Sequence, residues 1–179
     1  MSLQGVTKHK VLVVEDEVLI ADTITYHLGE NGFEVVGCAI SYASAVNLFQ
    51  RTAPDLALID TRLSGPYSGI DFGAFLHRQP TRIPFVYLTS QMDAHGLAAA
   101  KATFPAGYLS KPVPLNSLLT TVEVALHNAE ANEKSLVVRD GGVVHRLPPR
   151  DVLYLEADHV YVRYHLVDGR VLVERSSLT

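Results

Sequence analysis

The sequence predicts an α/β fold: a doubly wound, five-stranded parallel sheet, followed by a C-terminal antiparallel β segment. Three observations predict it. Short apolar runs alternate five times with amphipathic stretches of helical spacing, as strands joined by helical crossovers do. Several of these runs end in polar or acidic residues, at the end of the strand where open α/β sheets hold their ligands. Beyond about residue 134 the pattern changes to short alternating strands separated by Asp-Gly turns.

Val11 to Val14 is a β-branched run that ends in Glu15-Asp16-Glu17. Leu19, Ile20, Ile24 and Leu28 then recur at helical spacing until Asn31-Gly32 stops them. Phe33 to Ala39 is the second strand, and a Ser-started helix carries Ala45, Val46, Leu48 and Phe49. Pro54 precedes the central run Leu56-Ala-Leu-Ile-Asp60, which is apolar throughout and so reads as a strand buried on both faces. The loop Ser64-Gly-Pro-Tyr-Ser-Gly69 opens a helix with Ile70, Phe72, Phe75 and Leu76 along one side, and Pro80 ends it. Phe85 to Leu88 is the fourth strand, finishing in Thr89-Ser90-Gln91, before an alanine-rich helix through about Phe104. Gly107-Tyr108-Leu109 is the fifth strand and meets Ser110-Lys111-Pro112. A last helix with Leu115, Leu118, Leu119, Val122 and Leu126 apolar runs to about Glu133.

Composition narrows the function classes. At 179 residues and 47% hydrophobic, the chain has enough apolar material for one well-cored domain and a smaller unit. No apolar run approaches a membrane span and the start lacks a signal-peptide core, so a cytoplasmic protein without membrane contact is expected. Cys38, the single cysteine, is expected as a small buried hydrophobe. Residues 1–134 hold 9 Lys+Arg against 13 Asp+Glu, whereas 135–179 hold 6 against 6, so neither part announces nucleic-acid binding by charge alone. The eight histidines show no metal-site spacing.

The polar strand ends gain meaning together. With the strand order 2-1-3-4-5 that is common in such sheets, Glu15, Asp16, Asp60, Thr89 and Lys111 converge in one crevice. Carboxylates within about 4 Å of one another repel by roughly 4 kcal/mol per pair at an effective dielectric near 20, so they take up protons or need a cation. Oxygen ligands suit Mg²⁺, while Zn²⁺ would want His or Cys ligands that these loops lack. With Lys111 and Mg²⁺ neutralising an incoming phosphoryl group, Asp60 has the setting of a nucleophile that forms an acyl phosphate. Taken singly, each residue has an ordinary reading: Glu15 and Asp16 as helix caps, Thr89 as a strand end, Lys111 as a surface lysine, Tyr108 as packing. The combination carries the inference.

Residues 8–130 resemble the receiver domain of two-component response regulators. The resemblance rests on Glu15-Asp16 after strand 1, Leu-Ile-Asp60-Thr-Arg-Leu after strand 3, Tyr-Leu-Thr89-Ser after strand 4, and Gly-Tyr108-Leu-Ser-Lys111-Pro112 after strand 5. It implies that Asp60 is the phospho-acceptor for a sensor histidine kinase. It further implies that Asp16, Asp60 and the Arg62 carbonyl bind Mg²⁺ directly, with Glu15 acting through water. Thr89 would hydrogen-bond the phosphoryl group, Lys111 would pair with it, and Tyr108 would be the aromatic switch. Such a chain is a phospho-acceptor that catalyses at most its own phosphorylation and dephosphorylation. Two departures touch the Asp60 loop: Ser64 stands where the family often carries Pro, and Gly69 lies one residue later than in the shortest loops.

Residues 131–134 are expected to link the receiver to 135–179, where Leu136-Val-Val-Arg, Val143-Val-His-Arg-Leu147, Val152-Leu-Tyr-Leu155, Tyr161-Val-Arg-Tyr-His165 and Val171-Leu-Val173 read as antiparallel strands. The stretch resembles the opening half of a LytTR DNA-binding domain, in Arg-Asp-Gly-Gly, in Leu-Pro-Pro-Arg-Asp-Val-Leu-Tyr-Leu-Glu156-Ala, in Tyr161-Val-Arg, in Asp168-Gly169-Arg and in Arg175-Ser-Ser-Leu178. Val160 stands where that family often has Asn. The resemblance implies transcription regulation through a module that is incomplete here, with DNA binding only if it is completed, and a homodimer formed by strand pairing is expected. Other classes fit less well. A regulator acting only by protein contacts is the alternative; an Asp-nucleophile phosphatase would need a second acid in Asp60-Thr61-Arg62, and Gly65-Pro-Tyr-Ser68-Gly69 is one place off the serine-hydrolase elbow.

Overall fold

Unbroken apolar runs along the central strands build the first unit. The computed structural model describes residues 8–90, 94–132, 136–147 and 149–175, and divides the chain into two compact units, residues 1–129 and 130–179. In the first, strands β1 (Lys10–Val14), β2 (Glu34–Ala39), β3 (Leu56–Asp60), β4 (Phe85–Thr89) and β5 (Gly107–Ser110) form one parallel sheet in the predicted order β2-β1-β3-β4-β5. Helices α1 (Val18–Glu30), α2 (Tyr42–Thr52), α3 (Gly69–His77), α4 (Ala94–Lys101) and α5 (Leu115–Asn132) connect and follow them.

Successive strand residues point to opposite faces, so the sheet carries two cores. On one, Val11, Val13, Leu56, Leu58, Val86 and Leu88 pack with Ile24 and Leu28 of α1 and Leu118, Val122 and Leu126 of α5. On the other, Leu12, Val14, Ala57, Ile59 and Tyr87 pack with Ala45 of α2, Phe72 and Leu76 of α3 and Ala100 of α4. All five residues of β3 are buried, the state that its unbroken apolar run predicts. Tyr87 fits because Gly73 has no side chain: a Cβ there would lie 1.9 Å from the Tyr87 hydroxyl. That hydroxyl is 2.8 Å from Thr103 Oγ1, which donates to the Ala100 carbonyl at 2.7 Å.

The helix starts are set by short polar side chains. Ser41 and Ser44 form a reciprocal cap on α2, and Ser68 and Asp71 do the same on α3. Several expectations need correction. Cys38 is exposed, with Sγ 3.3 Å from Thr25 Oγ1, because β2 is an edge strand paired only with β1. Leu19 is 81% exposed; Ile20, Ile24 and Leu28, four apart, define the inner stripe of α1 and leave Leu19 beside it. Helix α4 ends at Lys101 rather than Phe104, since Phe104 has a left-handed φ of 57° that no helix continues. Residues 131 and 132 are the last of α5, which keeps to the helix expected through about Glu133. Residues 133–135 and 176–179, where the rest of the linker, the start of the β segment and the end of the Arg175-Ser-Ser-Leu178 match fall, lie outside the described residues, as do Gln91 and Pro148.

The second unit is an antiparallel sheet of β6 (Leu136–Asp140), β7 (Val143–Leu147), β8 (Val152–Asp158), β9 (Tyr161–Leu166) and β10 (Val171–Arg175), in the order β7-β6-β10-β9-β8. Gly141 and Gly142, with φ of 55° and 88°, make the β6–β7 turn that two left-handed residues favour. One small core of Val138, Leu147, Leu166 and Leu172, with Val152 and Tyr164 against it, is all the apolar cluster that this sheet has among the described residues.

Candidate functional site

Parallel neighbours end on the same side of a sheet, and the order β1-β3-β4-β5 gathers the sequence-predicted residues there. Glu15 and Asp16 follow β1, Asp60 closes β3, Thr89 closes β4, and Lys111 follows β5. Two backbone bonds tie these ends together: Lys111 N–H donates to the Thr89 carbonyl at 2.8 Å and Thr61 N–H to that of Leu88 at 3.0 Å. The Lys111–Pro112 peptide is cis. At the start of α3, a Cβ on Gly69 would fall 1.7 Å from the Asp60 carbonyl oxygen, so the helix approaches the Asp60 backbone only because glycine stands there.

Lys111 lies at the centre. Its ammonium is 2.6 Å from Asp60 Oδ2, 2.6 Å from Glu15 Oε2 and 3.6 Å from Glu17 Oε1, on a side chain that is only 6% exposed. Asp60 Oδ1 accepts from the Arg62 N–H at 2.9 Å. Carboxylate oxygens of Glu15, Asp16 and Asp60 all lie within 4.8 Å of one another. Three carboxylates against one ammonium leave an excess of two negative charges.

The surroundings shift these groups in different directions. Burial raises the Glu15 carboxyl above its ordinary value, although the Lys111 hydrogen bond pulls the other way. Burial works against the Lys111 ammonium, but hydrogen bonds to Asp60 and Glu15 outweigh it and raise its pKa. Asp16 is lowered, chiefly by Ser64, whose hydroxyl and N–H both donate to Oδ2, at 2.5 and 2.9 Å. Thr89 Oγ1 and the Tyr108 hydroxyl are buried and have no hydrogen-bond partner among the described residues. Burial raises Tyr108, whose ring centre lies 5.8 Å from that of Tyr87.

Sequence reasoning missed one feature of this site and gave another only as an alternative. Ser64 entered only as a departure in loop shape, yet its short hydroxyl fixes Asp16; a serine in a polar loop carries no periodic signal that would show this. Glu15, besides facing Lys111, accepts the Glu17 N–H at 3.2 Å, so it also occupies one free donor at the start of α1.

A doubly wound sheet with an acidic cluster, a lysine and a buried hydroxyl at its strand ends defines a receiver-type fold. The family model described as "Response regulator receiver domain" matches residues 11–123, and the chain belongs to that family. It is 36% identical over 119 residues to the phosphate regulon transcriptional regulatory protein PhoB of Escherichia coli K12, covering 65% of this chain and 51% of that protein. It is 31% identical over 117 residues to the transcriptional regulatory protein PdtaR of Mycobacterium tuberculosis, covering 65% and 56%. The chain thus spans about half the length of the curated relatives it matches. The signal receiver domain of a modulated diguanylate cyclase from Desulfovibrio desulfuricans G20 superposes with a TM-score of 0.67 at 33% identity, over 70% of this chain and 99% of that one.

Proposed function

We propose that Asp60 is the phospho-acceptor of a two-component system and receives its phosphoryl group from a sensor histidine kinase. One observation carries this reading: the Lys111 ammonium sits 2.6 Å from the Asp60 carboxylate inside an acidic cluster, where it meets the oxygens of an arriving phosphoryl group. An Asp60 oxygen attacks phosphorus, the bond from phosphorus to the donor breaks, and the donor leaves with that electron pair, giving an acyl phosphate. The donor set fits Mg²⁺: all oxygen, with an excess of two negative charges over the Lys111 ammonium. Asp16, Asp60 and the Arg62 carbonyl would hold the ion, with Glu15 acting through water. When bound it supplies charge neutralisation at the phosphoryl oxygens.

Acetyl phosphate with Mg²⁺ is expected to add one phosphoryl group, measured by intact mass. Asp60→Asn, whose amide is a poor nucleophile, is expected to abolish the addition, and so is removal of Mg²⁺. Equal labelling of Asp60→Asn would overturn the assignment.

Thr89 and Tyr108 form the switch in this reading. Their unpartnered buried hydroxyls leave Thr89 free to turn toward the phosphoryl group and Tyr108 free to follow it. Thr89→Ala is expected to accept phosphate but to lose most of a gain in self-association of about 1–3 kcal/mol, measured by sedimentation. The output would be transcription regulation from a homodimer, through residues 135–179 as part of a LytTR-type module. The LytTR-like motifs support this, as does the description of PhoB and PdtaR as transcriptional regulators. DNA binding would require the module to be completed.

A further inference from the structure

At the end of β4 away from Asp60, a groove of about 440 Å³ is lined by Leu76, His77, Arg82, Ile83, Phe85 and Phe104. Its floor is apolar and buried, from Leu76 and Phe85, with Ile83 half-buried beside them. Phe104 makes a wall, and it is unusual in two ways. It is 74% exposed, and its φ of 57° lies in the left-handed region that suits glycine and strains a bulky side chain. The turn that imposes this φ is held firmly: Phe104 N–H donates to the Lys101 carbonyl at 3.0 Å, and the neighbouring Thr103 hydroxyl is fixed between Ala100 and Tyr87. The Phe104 ring stacks on His77 at 5.0 Å with planes 22° apart, so two flat faces stand together at the edge of the groove. Strain sustained by surrounding bonds at an exposed aromatic residue is a mark of ligand clamps.

The charge at the rim selects the ligand. Helices α3 and α4 both end here, and their C-termini are offset by basic residues of their last turns, His77 and Lys101. Arg82 lies in the loop beyond α3, outside that pairing, and makes no ion pair among the described residues. We propose that this groove binds a small aromatic anion of one or two rings, with the ring against Phe104, Ile83 and Phe85 and the acid group on Arg82. The volume lies within the ordinary span of small-molecule sites, and an apolar floor with one convergent charge is their usual make-up.

The test uses the full chain, with 1-naphthoate as probe and 1-naphthalenemethanol as its neutral match, followed by amide NMR shifts. Naphthoate is expected to give saturable shifts centred on Leu76, His77, Ile83 and Phe85. Phe104→Gly relieves the left-handed strain, so it should fold with an unchanged or higher melting temperature while binding naphthoate at least about tenfold more weakly. Arg82→Gln should weaken naphthoate about fivefold and leave the alcohol unaffected. Shifts centred elsewhere, equal binding of the alcohol, or full binding by a folded Phe104→Gly would each overturn the proposal.

Discussion

Lys111 and Arg163 each gather carboxylates, three at the ends of the parallel sheet and two on a face of the antiparallel sheet. Lys111 is 6% exposed and its partners Glu15 and Asp60 are buried. Arg163 is 40% exposed, 3.6 Å from Glu156 and 3.1 Å from Asp158, which are themselves open to water. The difference follows from the sheets. A parallel sheet has crossover helices on both faces, so charges at its strand ends are largely shielded from solvent; among the described residues the antiparallel sheet has one small core and leaves Leu153, Tyr154 and Leu155 of β8 exposed. Similar charge groupings are therefore worth different amounts, because the dielectric around them differs.

The largest expected effect breaks these two clusters. Lys111→Met removes the ammonium beside Glu15 and Asp60, and is expected to destabilise the receiver unit by about 3–5 kcal/mol in denaturant melts without divalent ions. Mg²⁺ should restore part of this loss, since it offsets the same charges. Arg163→Met is expected to cost only about 0–1 kcal/mol, and less at high salt. A cost for Arg163→Met as large as for Lys111→Met would show that the exposed ionic face is covered in solution, and the contrast would fail.

What the sequence made legible follows the same division. The order and ends of the parallel strands were readable because β3 is apolar at every position until Asp60, and because the acids and Lys111 stand where such strands surface. Residues whose state depends on neighbours far along the chain were not readable. The order 2-1-3-4-5 puts the strand of Cys38 at an edge, but nothing near Cys38 shows that its side chain is left exposed, nothing in the α1 pattern separates Leu19 from Ile20, and Ser64 gives no sign that it binds Asp16, 48 residues away. The left-handed Phe104 was hidden for a related reason, since a phenylalanine at that φ contradicts local preference and is held by the turn around it.

The second effect compares the cores. Leu58 is fully buried in β3, and Leu58→Ala is expected to cost about 2–5 kcal/mol, whereas Leu155→Ala on exposed β8 should change stability by less than about 0.5 kcal/mol. Thermal melts of each variant would measure both. A severe loss for Leu155→Ala would mean that β8 is packed against something, as the strand-paired homodimer requires, so this measurement also sharpens the proposed assembly.

The smallest effect separates two tyrosines, Tyr87, which is buried, and Tyr164, which is half-buried. Burial pushes Tyr87 up to about 12, against the hydrogen bond to Thr103 that pulls it down, and burial also raises Tyr164, beside Glu174 in the antiparallel sheet. A folded-state pKa above the unfolded value near 10 means that the native state favours the neutral phenol. The stability tied to Tyr87 is thus fully present below about pH 10 and is lost as pH rises through 12, by roughly 3 kcal/mol in all. Tyr87→Phe keeps the ring in its slot against Gly73 but gives up the bond to Thr103, whose hydroxyl still donates to Ala100, so the loss at neutral pH should be about 1 kcal/mol. The variant should also unfold less steeply in alkali than the parent chain, because the group whose ionisation opposed folding is gone. If its stability fell between pH 10 and 12 as steeply as the parent's, the alkaline loss would belong to other groups, Tyr164 among them, and the parallel sheet would not hold the tyrosine that resists ionisation most.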